Sequence, residues 1–235
     1  MSTLGEGPGA EQRMRLMREK ALGFFAVITA SLSHEINNVV AIIGELSGLL
    51  DDLLAGTEKG RPLDQEKVKT ISERIAKNVK KGEQIIKRLN RFAHSADEPV
   101  KDFDLRELLE QVTTIAQRLA TLKGVSLEAE LPEVSLPIRS NPFSMQQAIV
   151  GCIELAFSGS RRNDKITLTF GKEDAGAKIT VTGPTHDGSE ASQSMLSFLA
   201  LLMRDLGGTM EASPAGNDTQ SLMLHLPKSI ERPAN

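Results

Sequence analysis

The chain of 235 residues has no tryptophan, no tyrosine and a single cysteine. One cysteine can form neither an internal disulfide nor a cysteine-rich metal site, and Cys152 lies in an apolar run that indicates a core position. With so few aromatic rings and a formal net charge of -3, the chain offers little to nucleic acid, and a nucleic-acid partner is disfavoured.

Long hydrophobic runs are also missing. No stretch of about 18 apolar residues occurs, and the N-terminus is not basic and then apolar, so we expect neither a membrane span nor a signal peptide. These absences favour a cytoplasmic protein with no membrane partner. The length of the chain slightly favours two domains over one.

Two long amphipathic segments come first. A helix predicted from Glu11 to about Ala55 carries apolar residues at alternating spacings of three and four, which is typical of a helical bundle. This seam consists of Phe25, Ile28, Leu32, Ile36, Val39, Ile43, Leu46, Leu50 and Leu53. A stretch with two glycines and a proline, residues 56–62, predicts a break, and a second helix follows from Leu63 to about His94. The second seam consists of Val68, Ile71, Ile75, Val79, Ile86, Leu89 and Ala93.

A hairpin of this length has a wider apolar seam than one partner helix can cover. We therefore expect a homodimer in which two hairpins, each within residues 11–96, form a four-helix bundle.

Beyond a linker at 96–99, helices and strands alternate over residues 100–230, which predicts an α/β sandwich and an α+β fold class overall. The predicted helices are 104–122, 142–158 and 190–206, and the predicted strands are 125–129, 136–139, 166–171, 177–182, 209–213 and 221–226.

His34 is the most informative residue of the first helix. It lies two positions from the seam residues Leu32 and Ile36, about 200° around the helix axis, so its side chain is expected to point outward. The same outward face continues through Asn38, Ala41 and Glu45, where the small Ala41 leaves room for another protein.

An outward imidazole with a free ring nitrogen can attack phosphorus. The neighbouring Glu35 carboxylate could accept the other ring N–H, and the Asn38 amide could bind a phosphoryl oxygen or a water. Two reactions fit these three residues: phosphoryl transfer to or from an aspartyl phosphate, and its hydrolysis assisted by Asn38.

The run from Ser33 to Asn38, followed by Ala41-Ile42-Ile43-Gly44, resembles the H box of two-component histidine kinases. The resemblance implies that His34 is the phospho-acceptor, Glu35 the base and Asn38 a phosphatase determinant. Val39 stands where that family usually has proline.

The second domain resembles the ATP-binding domain of the same family, but the residues that bind ATP there have no counterparts. The magnesium-binding asparagine of that family falls on Leu155 and an earlier asparagine on Gly151. The adenine-binding aspartate falls on Gly183, and the glycines of the two glycine boxes fall on Thr185, Asp187, Gln193 and Met195. A leucine offers no oxygen ligand to Mg²⁺, so we expect no cofactor of its own.

This combination resembles the dimeric histidine phosphotransferases, which implies that His34 carries phosphoryl groups between receiver domains of response regulators, with Mg²⁺ supplied by the receiver. Two alternatives remain open: an aspartyl-phosphate phosphatase, and a non-catalytic pseudokinase adaptor. We expect the receiver to dock on Ala41, Glu45, Thr70, Arg74 and Lys77. The adaptor could instead bind a partner kinase through the helical bundle.

Overall fold

The computed structural model describes residues 10–216 and 218–230, which form two compact units. One unit, Ala26–Ala93, is a helical hairpin. The other combines the first turns of the long N-terminal helix, as far as Phe25, with the chain from His94 onward. None of the helices in the described part of the chain has the length and hydropathy needed to cross a membrane.

The hairpin consists of α1, Ala10–Glu58, and α2, Gln65–Ala93. Ile28, Leu32, Val39 and Leu46 of α1 are buried, as the predicted seam requires. On α2 the buried residues are Ile71, Ile85 and Phe92.

Three residues of the predicted α2 seam, Val79, Ile86 and Ala93, are exposed in the single chain. Val79 is 44% exposed and Ile86 48%, whereas the neighbouring Ile85 is fully buried. Consecutive residues on a helix are about 100° apart, so Ile85 rather than Ile86 faces α1. Val79 and Ile86 therefore lie on a side of α2 that α1 does not cover.

The sandwich begins after a single 3-10 turn, His94–Ala96. Its helices are α3 (Leu105–Lys123), α4 (Pro142–Gly159) and α5 (Glu190–Asp205). Its strands are β1 (Lys101–Asp104), β2 (Ser126–Glu130), β3 (Pro137–Ser140), β4 (Lys165–Glu173), β5 (Gly176–Pro184), β6 (Thr209–Gly216) and β7 (Thr219–Pro227). The predicted helices and strands are confirmed to within a few residues at each end.

One strand was not predicted. Strand β1 is only four residues long and pairs antiparallel with β3 in a two-stranded sheet. Its sequence, Lys-Asp-Phe-Asp, carries a single apolar residue, which is too little to indicate a strand. Asp104 ends it and caps α3, because its side chain accepts a hydrogen bond from Arg106 N.

The main sheet has the order β2-β4-β5-β7-β6, with β2 parallel to β4 and the other pairs antiparallel. Buried and half-exposed residues alternate along β5 and β7, so one face of the sheet belongs to the core. Helix α4 lies at the centre of that core and is buried along most of its length. Cys152 on α4 is a core residue as predicted, and burial raises the pKa of its thiol to about 12.

The first turns of α1 belong to the sandwich unit, which the sequence did not predict. Leu16, Met17 and Phe24 pack against its core, and the Phe24 and Phe143 rings meet edge-on with centroids 5.6 Å apart. Edge-to-face contact is a favoured geometry for two aromatic rings. A half-buried aromatic contact thus links this part of α1 to the start of α4.

Candidate functional site

His34 lies on α1 within the hairpin unit, and its side chain is exposed as predicted. Its direction follows from its neighbours, since Leu32 is 1% exposed and Val39 3%, so both face the interior. The imidazole is therefore accessible to a partner while the backbone beneath it is held by a packed seam.

The ring is oriented by Asn38, one turn along α1. The Asn38 amide Nδ2 lies 3.1 Å from His34 Nδ1. This contact is a hydrogen bond with either tautomer of His34. The amide Nδ2 donates to an unprotonated Nδ1, and after a flip of the Asn38 amide its Oδ1 accepts from a protonated Nδ1. Nδ1 is thus occupied by Asn38, and Nε2 has no hydrogen-bond partner among the residues that the structure describes.

Glu35 has a different partner from the one expected. Its carboxylate Oε2 lies 3.2 Å from Arg88 Nη2 of α2, and both side chains are about four-fifths buried. The carboxylate is therefore engaged across the hairpin, and it is Asn38 that contacts the ring. Nothing in the sequence distinguishes Arg88 from the other cations on the basic face of α2. The base role of Glu35 stays a prediction.

Two contacts fix how α1 and α2 face each other. One is the Arg88 to Glu35 ion pair, and the other is at Gly82, where an added Cβ would lie 3.3 Å from Val39 Cγ1. Helical spacing then places His34 and Asn38 on the same side of the hairpin as the ion pair. The remaining predicted partner-binding residues are all exposed on this side: Ala41, Glu45, Thr70, Arg74 and Lys77. We call this surface the acceptor flank.

The opposite side of the hairpin is apolar. Ile36 and Ile43 of α1 are half-buried, and Val40 is 61% exposed. The exposed Val79 and Ile86 of α2 lie on the same side by helical spacing. We call these five residues the apolar flank.

The positions that the resemblance aligns with the nucleotide site of histidine kinases are packed with apolar side chains. A Cβ added at Gly151 of α4 would lie 2.9 Å from Leu199 Cδ2 and 3.2 Å from Met195 Sδ, both on α5. Leu155, one turn further, is 2% exposed. An asparagine side chain at Gly151 would have to displace these packed side chains, and an asparagine at Leu155 would place its amide among buried apolar residues.

The same close packing occurs at Gly183, where an adenine-binding aspartate would stand. A Cβ there would lie 3.0 Å from Ala156 Cβ and 3.1 Å from Ile166 Cγ1. These distances are tighter than ordinary van der Waals contact, so a larger side chain would strain the sandwich.

A polar cluster joins α4, α5 and the loop before α5. Ser192 Oγ donates a 2.7 Å hydrogen bond to Asp187 Oδ1, and the Ser189 backbone N–H donates to the same oxygen at 3.0 Å. Ser158 Oγ of α4 lies 3.1 Å from Ser192 Oγ and accepts from Asp187 N. The hydrogen bond from Ser192, followed by that from the Ser189 backbone, lowers the pKa of Asp187 to about 2. Asp187 therefore holds the loop against both helices.

Asp187→Ala is expected to lower the melting temperature of the sandwich at neutral pH, because Ser192, which is 4% exposed, loses its acceptor. The depressed pKa means that the contribution of Asp187 is fully present above about pH 4 and is lost as the pH falls through about 2. The difference in melting temperature between wild type and variant should therefore shrink over that range. Scanning calorimetry would measure it, with the exposed turn residue Asp174 changed to Ala as control. A difference that does not depend on pH would contradict this role.

No family model matches the chain, and no curated protein matches it. Several solved structures match the chain. The catalytic domain of the histidine kinase ThkA aligns over 57% of this chain and 100% of its own length, with 16% identity and a TM-score of 0.50. The fold is that of a histidine kinase catalytic domain.

Two longer structures also match. The Acinetobacter baumannii histidine kinase AdeS aligns over 78% of this chain and 95% of its own, with 15% identity and a TM-score of 0.47. ThkA in complex with the response regulator protein TrrA aligns over 94% of this chain and 68% of its own, with 16% identity and a TM-score of 0.47.

Proposed function

We propose that the protein is a histidine phosphotransferase that passes phosphoryl groups between the aspartates of receiver domains through His34, without binding ATP. The observation that carries this proposal is the exposed His34 ring, whose Nδ1 is held by Asn38 while Nε2 stays free.

The transfer step requires little from the protein beyond position. The lone pair of His34 Nε2 attacks phosphorus, the P–N bond forms, and the P–O bond to the donor aspartate breaks so that a carboxylate leaves. The Nδ1 proton stays on the ring, and the Nδ1–H group donates a hydrogen bond to Asn38 Oδ1. The reverse reaction, with a second receiver, returns the phosphoryl group to an aspartate.

The apolar packing at Gly151, Leu155 and Gly183 supports a reaction that does not use ATP. Phosphoryl transfer between aspartate and histidine needs no nucleotide, and the Mg²⁺ it requires belongs to the receiver on this proposal. The chain's own contribution is the histidine, its orientation by Asn38 and a docking surface on the acceptor flank.

A homodimer is part of the same proposal. The apolar flank exposes Val40, Val79 and Ile86, which a second hairpin would cover in a four-helix bundle. Because the acceptor flank lies on the other side of the hairpin, both histidines would remain accessible in such a dimer.

The contact between Asn38 and His34 also fits a phosphatase, in which the amide would aim a water at the phosphorus of a receiver. The two activities leave different products. A transferase holds the label as phosphohistidine, which is stable in alkali and labile in acid, whereas a phosphatase releases inorganic phosphate.

Asn38→Ala separates these two functions. We expect this variant to accept label from a phosphorylated receiver no more than about tenfold more slowly than wild type, because it loses one hydrogen bond of about 1 kcal/mol. Label on the protein and free phosphate would be followed together by gel and thin-layer chromatography. Asn37, the exposed neighbouring asparagine on α1, provides the control, and Asn37→Ala should react as wild type does.

Release of inorganic phosphate without labelled protein, stopped by Asn38→Ala, would assign a phosphatase instead. Receiver binding that leaves its phosphorylation unchanged would assign an adaptor.

A further inference from the structure

A shallow groove of about 560 Å³ runs along α2 and is lined by polar residues alone: Arg74, Lys77, Asn78, Lys80, Lys81 and Gln84. Four of the six are cations, and no carboxylate lines it. Within the part of the chain that the structure describes, none of the ion pairs involves these four cations. The groove is therefore a concentration of positive charge on a chain whose net charge is -3.

The groove begins close to His34 along the hairpin. Val39 lies opposite Gly82, so in an antiparallel pair Lys81 lies opposite the residue after Val39. That residue, Val40, lies six positions along α1 from His34, which corresponds to ~9 Å. Lys81 and Arg74 are seven and fourteen positions before Arg88, which places them on the side marked by the Arg88 to Glu35 ion pair. The groove is thus part of the acceptor flank.

A partner that donates a phosphoryl group to His34 would cover at least the Lys81 end of this groove as well. A specific protein interface buries about 800 Å² on each side, which extends well beyond ~9 Å from its centre. A donor that carries its phosphoryl group on an aspartate beside Mg²⁺ must also supply further oxygen ligands for that ion, most commonly carboxylates. The edge it presents to His34 is therefore acidic.

We propose that this groove is the electrostatic docking site for the carboxylate-rich edge of the phosphorylated receiver. The inference rests on the proposed function and adds Lys80, Lys81 and Gln84 to its docking surface. Unpaired cations on one partner and carboxylates on the other attract each other before contact, so the groove raises the association rate and favours acidic partners.

The chemistry of the groove favours a protein over other polyanions. It contains no aromatic side chain on which a nucleic-acid base could stack. On α2 itself, the exposed large apolar residues that could enter a lipid surface, Val79 and Ile86, lie on the opposite flank of the hairpin from the groove.

The test compares two charge-reversed proteins. Lys77→Glu with Lys81→Glu reverses two charges in the groove, and Lys69→Glu with Lys59→Glu reverses two exposed charges nearer the bend of the hairpin. The probe is a phosphorylated receiver that labels the wild type. At 50 mM salt, transfer to the groove variant is expected to be about 10- to 100-fold slower than to wild type, and transfer to the control within about twofold. At 500 mM salt the groove variant and wild type should converge.

Equal transfer to wild type and groove variant at 50 mM salt would overturn the inference while leaving the proposed function intact. A wild type that no receiver labels would overturn both. Phosphoramidate is a small donor that needs no docking, so it should label His34 equally in all the proteins. Loss of this labelling in the groove variant would contradict the inference, because the substitutions would then impair the reactivity of His34 itself. Tighter binding of the wild type to transfer RNA or phosphatidylserine vesicles than to the receiver, lost in the groove variant, would assign the groove to another polyanion.

Discussion

Replacing Ile36 and Ile43 with aspartate should convert the proposed dimer to a monomer. Both residues are half-buried in the single hairpin and lie on the apolar flank. In a four-helix bundle each substitution would place an unpaired carboxylate inside the interface, at a cost of several kcal/mol per site. With two sites in each chain, the dissociation constant should rise by more than about a thousandfold.

Sedimentation over a range of concentrations would measure this change, and circular dichroism would show whether the separated hairpins stay helical. The control is Asn37→Asp with Ala55→Asp, which adds the same charge at two exposed positions of α1 outside the apolar flank. A wild type that is monomeric at micromolar concentration would contradict the four-helix bundle, whatever the variants do.

The long helices, the order of elements in the sandwich and the exposure of His34 could all be predicted from the sequence because each depends on local periodicity. A seam with spacings of three and four fixes which way Leu32 and Val39 face, and the direction of His34 follows from theirs. Strands β4, β5 and β7 are long and alternate buried with more exposed residues over most of their length, so they too could be predicted from local sequence.

What the sequence could not predict depends on contacts between distant residues. The ion pair between Glu35 and Arg88 joins positions 53 apart, and nothing local distinguishes Arg88 from the other cations of α2. The choice of Ile85 over Ile86 as the inward residue depends on where α1 lies against α2. The spacing of the apolar residues alone is compatible with either Ile85 or Ile86 facing α1.

The packing of the first turns of α1 with the sandwich is a further nonlocal feature. Lys20 interacts electrostatically with Glu154 of α4, whose pKa is raised by burial and to a lesser extent lowered by that lysine. The predicted boundary at residues 96–100 separates hairpin from sandwich in the sequence, while the packing assigns residues as far as Phe25 to the sandwich unit. A fragment that starts at the hairpin would therefore uncover Phe143 and Glu154.

The most direct test of the central claim is the labelling of His34 itself. Mixed with γ-labelled ATP alone, the wild type should stay unlabelled, because Gly151 and Leu155, which the resemblance places at asparagine positions of the nucleotide site, have no side-chain oxygen to bind Mg²⁺. Mixed with a receiver that carries labelled aspartyl phosphate, it should acquire alkali-stable, acid-labile label and pass it to a second receiver. His34→Gln retains a polar side chain of similar size without the nucleophilic ring, so it should lose all transfer while still forming dimers and binding the receiver. Transfer by His34→Gln at the wild-type rate would contradict the account.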